Sequence, residues 1–321
     1  MTKKYFTIVL LVVLMVSCDK KSKVEKAVEA IPVALKVDRF DQAFFEAKPS
    51  ELANLKAEYP FFFPEGTPDA VWIDKMQNKD WRALYAEVQK KFPDFNKQTT
   101  EIEDLFKHFK YYFPETVMPK IYTVIAEMDY HNKAIYADDK LIIALELYLG
   151  KSHQFYTFPE YLKQNFEERQ MMPDIVSSFA VRKIPPPTEK TLLANMIYYG
   201  KELYMKDIML PDYTDAEKMG YTPEQITWSQ ENESYIWRYF IEEDLLFSTD
   251  AKLENRFVNM APFSKFYLEI DNESPGRIGQ WIGWQIVRSF MENNEVSLQE
   301  MLKMDAKQIF DRSKYKPKKN E

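Results

Sequence analysis

The chain has 321 residues, with 43 Lys and Arg against 50 Asp and Glu, three His, one Cys and seven Gly. Apolar residues make up 45 % and aromatics 15 %, so core material is ample and disorder of the whole chain is excluded. A net charge of −7 argues against nucleic acid as partner, and a single Cys excludes both an intrachain disulfide framework and a Cys-rich metal site.

Lys3 and Lys4 precede an apolar run from Tyr5 to Val16, followed by Ser17-Cys18. A basic start, a short apolar run and a small residue before the cut form the pattern of a secretory signal. The run is shorter than the roughly 20 residues a spanning helix needs. Leu14-Met15-Val16-Ser17-Cys18 resembles a bacterial lipobox, with Met15 where Leu is usual. That resemblance implies cleavage before Cys18, which then carries the lipid; a plain signal with an incidental Cys is the rival. Residues 1–17 are read as the signal and 18–32 as a polar tether. Cutting there removes Lys3 and Lys4 and takes the net charge from −7 to −9. The tether lacks the acidic run that resembles a surface-export tag, so the domain is expected to face the periplasm. Which membrane holds it stays open.

A single globular domain is expected over 33–312. Phe40, Ala43, Phe44 and Ala47 have the spacing of a helical face, opened by Asp38-Arg39-Phe40-Asp41. Tyr59-Pro60-Phe61-Phe62-Phe63-Pro64 is interrupted by proline and reads as aromatics packed under a loop. Trp81, Leu84, Tyr85, Val88 and Phe92 form a helical stripe. Thr100-Glu101-Ile102-Glu103 reads as a capping box opening a second helix. The β-branched and aromatic run Ile121–Met128 predicts a strand, Tyr130–Lys133 a turn and Ala134–Ala137 a short return strand. Leu141–Leu149 reads as a helix, with Asp138-Asp139 before it and Gly150 after it. Further helices are expected at 173–183, 189–208, 223–230, 235–247, 278–292, 298–304 and 306–312. Pro185-Pro186-Pro187 is a stiff joint and a candidate sub-boundary. Residues 313–321 read as a solvated basic tail. The fold class is therefore α+β, predominantly helical, with a small sheet near 120–137.

Glu146 stands alone in an apolar stretch, where a carboxylate is costly unless paired or neutral. A strand, a return strand and a helix with a central Glu resemble the layout that zincin metallopeptidases use for His-Glu-x-x-His. Matched there, the histidine places hold Leu145 and Leu149. Gly200-Lys201-Glu202-Leu203-Tyr204 resembles the third-ligand segment, again with leucine at the ligand position. Leucine donates no lone pair, so the resemblance implies a dead scaffold without metal or cofactor. Three glycines fall in Gly276-Arg277-Ile278-Gly279-Gln280-Trp281-Ile282-Gly283-Trp284. Gly in a helix costs about 1 kcal/mol relative to Ala. Its return here is either close approach of another helix, flanked by Trp281 and Trp284, or a partner lying on that face. Arg277 is a candidate partner for Glu146.

The lipobox, Asp38–Asp41, Leu141–Gly150, Ala261-Pro262-Phe263-Ser264-Lys265-Phe266-Tyr267 and Glu273–Val287 together resemble the GldB family of gliding-motility lipoproteins of Bacteroidetes. The resemblance implies an envelope lipoprotein needed for gliding, with partners among the motility and type IX secretion proteins and a membrane held through Cys18. It carries no catalytic assignment. The expected role is non-enzymatic binding and assembly. The rivals are a metal-dependent or Glu146-based periplasmic hydrolase and a peptidoglycan or glycan binder using exposed Tyr and Trp.

Overall fold

The computed structural model describes residues 22–318 apart from Asp138. The expected signal and Cys18 lie outside the described residues. The first part of the chain contributes α1 (Lys23–Glu29), β1 (Lys36–Asp38), α2 (Phe40–Glu46), α3 (Leu52–Glu58), α4 (Asp69–Gln77), α5 (Lys79–Lys91) and α6 (Asn96–Tyr112). The remaining strands follow together, β2 (Lys120–Val124), β3 (Ala134–Ala137) and β4 (Lys140–Ala144). After them the described chain is helical: α7 (Glu160–Lys163), α8 (Met171–Ala180), α9 (Leu192–Met209), α10 (Asp215–Met219), α11 (Pro223–Glu242), α12 (Lys252–Phe257), α13 (Ile278–Asn293), α14 (Leu298–Lys303) and α15 (Ala306–Ser313). This is the predominantly helical α+β class that the sequence predicts.

The strands form one mixed sheet in the order β1-β2-β4-β3. Val37, Ile121 and Leu141 align across the three parallel strands, and β3 runs antiparallel to β4 with Tyr136 opposite Leu141. The return strand therefore pairs with β4 rather than with β2.

The expected helix over Leu141–Leu149 is not formed. Lys140–Ala144 is a strand, and Leu145–Leu147 make a single 3-10 turn at its end. A parallel strand flanked on both sides reads as a continuous apolar run, which periodicity cannot distinguish from a buried helix. The zincin-like layout falls with it, because Leu145 and Leu149 share no helical face. The β3 edge is covered by α8: Ser178 Oγ accepts the Tyr136 amide at 2.7 Å, and Arg182 Nε donates to the Tyr136 carbonyl at 3.1 Å. Covering an edge in this way removes a site for unwanted strand pairing.

Asp41 ties the N-terminal helices to the sheet. Its buried carboxylate accepts Arg39 Nε and Nη2, Thr123 Oγ1 of β2 and Gln89 Nε2 of α5. Helix α6 starts at Asn96, not at the expected Thr100 box; Asp94 accepts the Asn96 amide, and the Thr100 hydroxyl donates back to the Asn96 carbonyl. The helices expected from 223 and from 298 do open at those residues, each on a capping box, at Thr222 and at Ser297. Two separately expected helices fuse into α11, because the polar stretch between them carries the buried Glu233. That carboxylate accepts the Tyr315 hydroxyl and the Lys318 amide, so the expected solvated tail is docked as far as Lys318. At the other end the expected tether contains α1, whose Val28 is buried against the core. Helices α8 and α9 pack together on either side of Pro185-Pro186-Pro187.

The tightest helix pair is α9 with α13. A Cβ on Gly283 would lie 1.8 Å from the Met196 carbonyl oxygen, and one on Gly200 2.3 Å from the carbonyl oxygen of Gly283. The two backbones touch there, a geometry only glycine permits.

Candidate functional site

Glu146 sits where β4 ends and is fully buried. Its Oε1 accepts the amides of Ala126, at 3.0 Å, and Met128, at 3.4 Å. Its own carbonyl accepts the Tyr156 hydroxyl at 2.6 Å, and that hydroxyl in turn accepts the Leu149 amide. Met128 is held at φ 53°, so the carboxylate fixes a bent connection between β2 and β3. Burial pushes the Glu146 carboxyl up from 4.5 to about 7, against the downward pull of the amides and of Lys75. Oε2 has no hydrogen-bond partner among the described residues. Arg277 does not meet Glu146: its Nη2 donates instead to the carbonyls of Met219, at 2.9 Å, and Gly220, at 3.1 Å.

The remaining residues of the glycine-rich block divide between two tasks. Gly279 faces the Phe257 carbonyl, Gly283 faces α9, and Gly276 lies against Ala261, where a Cβ would stand 2.1 Å from the carbonyl oxygen. Trp281 and Trp284 are 1 % and 0 % exposed, so they belong to the core rather than to a binding face. Trp284 Nε1 donates to Asp207, which also takes both prongs of Arg288. Arg277 and the neighbouring Gln280 line a cavity.

That cavity, of about 810 Å³, is the candidate site. It lies between the β3 edge, helices α8 and α9, and the chain entering α13. Five cations line it, Lys133, Arg182, Lys206, Lys218 and Arg277, against two acids, Asp174 and Glu202. Lys133 pairs with Asp174 at 2.6 Å, and Tyr148 Oη donates to the same carboxylate. Lys206 pairs with Glu202 at 3.2 Å, and Ser177 Oγ donates to Glu202 at 2.6 Å. Lys218 reaches Asp207 behind the wall at 3.1 Å.

Sequence reasoning missed Asp174, Ser177, Glu202 and Lys206. A signal was present: Asp174, Ser177 and Ser178, and likewise Tyr199, Glu202 and Lys206, are polar stripes at helical spacing within otherwise apolar helices. Lys201, in the segment compared with a third-ligand motif, points elsewhere and donates to the carbonyls of Leu302 and Met304. Among the described residues, no group of three or more His, Cys, Asp or Glu is placed to hold a metal ion. Nor is any described helix long and apolar enough to cross a membrane.

Fold and site together define a helix-rich α+β domain with a cation-lined cleft beside the covered edge of a small mixed sheet. The family model for gliding motility protein GldB matches residues 21–317, nearly the whole chain, and the chain belongs to that family. It is thus a gliding motility protein. No curated protein and no solved structure matches it.

Proposed function

We propose that the chain is an envelope protein, lipid-anchored through Cys18 and facing the periplasm, that works as a non-catalytic binding and assembly component of the motility and type IX secretion machinery. The cleft beside β3 is its binding site. The observation that carries this reading is the use made of Glu146. The rival hydrolase needs that carboxylate in a cleft, beside the reacting atoms. Glu146 instead brackets the β2–β3 connection through two amides and is not among the residues lining the cleft.

The test is colony spreading in a deletion strain complemented with wild-type or Glu146→Gln protein, with blots for abundance. Glutamine keeps an oxygen for the two amides, so we expect full restoration. Failure to spread at normal abundance and with the fold intact would revive the hydrolase. Undiminished spreading in the deletion strain itself would remove this chain from motility altogether.

A further inference from the structure

We propose that the cleft recognises a carboxylate on an extended segment of a partner protein, and that Arg277 receives it; this rests on the binding reading above.

The first argument is charge pairing. Lys133 and Lys206 are each matched to an acid within the cleft, and Lys218 to Asp207 behind it, while Arg182 is tied to the Tyr136 carbonyl. Arg277 forms no ion pair among the described residues; its partners are two backbone carbonyls, both on Nη2, and the Tyr221 ring. A guanidinium has five N–H donors in a planar fork. With Nη2 engaged, Nε and Nη1 remain as separate donors, each able to give a single charge-assisted bond to a carboxylate oxygen.

The second argument is construction. Arg277 is held at φ 64°, a backbone region that favours glycine. Such strain persists where the surroundings over-determine it, and it gathers at functional sites. Here the surroundings are explicit. Ser264 Oγ donates to the Pro275 carbonyl and accepts the Ile278 amide, Ser274 Oγ accepts the Ser264 amide, and the Tyr221 hydroxyl donates to the Gly276 carbonyl. Four bonds clamp the chain on both sides of one arginine.

The ligand class follows from the rest of the lining. A phosphate dianion would meet Asp174 and Glu202 across the cleft. A chain with one carboxylate brings amide donors for those acids and apolar surface for Leu203 and Met260. The volume is that of a site enclosing a few residues rather than a folded domain.

The carboxylate could be a chain terminus or an acidic side chain, and three forms of one probe separate them. The hexapeptide Ala-Val-Gly-Ser-Glu-Val, labelled at its N-terminus with the uncharged fluorophore nitrobenzoxadiazole, is prepared as the free acid, as the C-terminal amide, and as the amide with Gln in place of Glu. Binding to the full lipidated chain in detergent is followed by fluorescence anisotropy. At least one acidic form is expected to bind about tenfold or more tightly than the neutral form, with affinity falling as salt rises. A bound amide points to a side chain, and binding of the free acid alone points to a terminus. Arg277→Gly suits the observed φ and keeps the fold; we expect it to lose about tenfold or more of the affinity. Arg277→Lys keeps the charge with a single donor group and should retain part of it.

Equal binding of the neutral form, unchanged affinity in Arg277→Gly, tighter binding of inorganic phosphate, or no binding up to about 10 mM would each overturn the assignment. Colony spreading of Arg277→Gly cells keeps the two readings apart. Lost spreading without any carboxylate affinity sinks the ligand class but leaves the cleft as a working surface. Normal spreading without affinity sinks both for this cleft.

Discussion

A carboxyl group taken out of water ionises less readily, and Glu146 carries that cost inside the fold. Its folded value of about 7 lies above the ordinary 4.5. The folded state therefore holds its proton more tightly than the unfolded chain does. The stabilisation is fully present below about pH 4.5 and is lost as pH rises through about 7. For a fully buried group the swing is on the order of 3 kcal/mol. Denaturant unfolding of wild-type and Glu146→Gln protein across this range should give a difference curve that falls between those two values and is flat above them. A flat difference throughout would mean that Glu146 does not titrate there. Tyr156→Phe removes the hydroxyl shared between the Glu146 carbonyl and the Leu149 amide. It should cost about 1–2 kcal/mol in the same assay. At Arg277 two effects oppose each other: glycine relieves the backbone strain but gives up the bonds to Met219 and Gly220. Arg277→Gly should thus stay within about 1 kcal/mol of wild type. Glu146 stood out in the sequence as an isolated charge in an apolar run. Its surroundings did not, because residues 20 and 18 positions upstream supply the amides.

Between elements, the decisive contact is α9 against α13. The spacing of Gly279 and Gly283 already suggested that something approaches closely, and the approaching element is α9 at Met196 and Gly200. Nothing in the sequence names that partner, since either backbone can be crossed by any helix with a small residue at the contact. Gly283→Ala forces a methyl group into the Met196 carbonyl and should cost about 3 kcal/mol or more, read as a lower thermal midpoint. Gly279→Ala meets the Phe257 carbonyl oxygen at 2.9 Å and the Met196 side chain at 3.3 Å, so it should cost less. If the two substitutions were equally mild, the helices would not be in backbone contact. The strand β4 shows the opposite limit of sequence reading. Leu141-Ile142-Ile143-Ala144 has the composition of a buried strand and of a buried helix alike. Pairing with β2 on one side and β3 on the other settles it.

For the molecule as a whole, both ends of the described chain are fastened to the body. Helix α1 packs on α6 through Val28, and Tyr315 with Lys318 closes over Glu233 of α11. Burial raises the Glu233 carboxyl, and the Tyr315 hydroxyl offsets part of that cost. Deleting residues 314–321 strips this partner and should cost about 2 kcal/mol, measured by chemical denaturation. The tail's lysines gave no sign of this, because charge composition says nothing of which uncharged atoms dock. Charge is also unevenly placed: a net-acidic chain turns a cation-rich cleft to solvent. By itself the sequence determined the helical class, the helix starts at Thr222 and Ser297 and the family, since each depends on residues near one another or on composition. Only tertiary structure decided that β4 is a strand, that Glu146 is sealed, that the tryptophans are core and that Arg277 faces a cleft. Those outcomes depend on atoms brought together from distant segments, and local pattern carries no information about which segments meet.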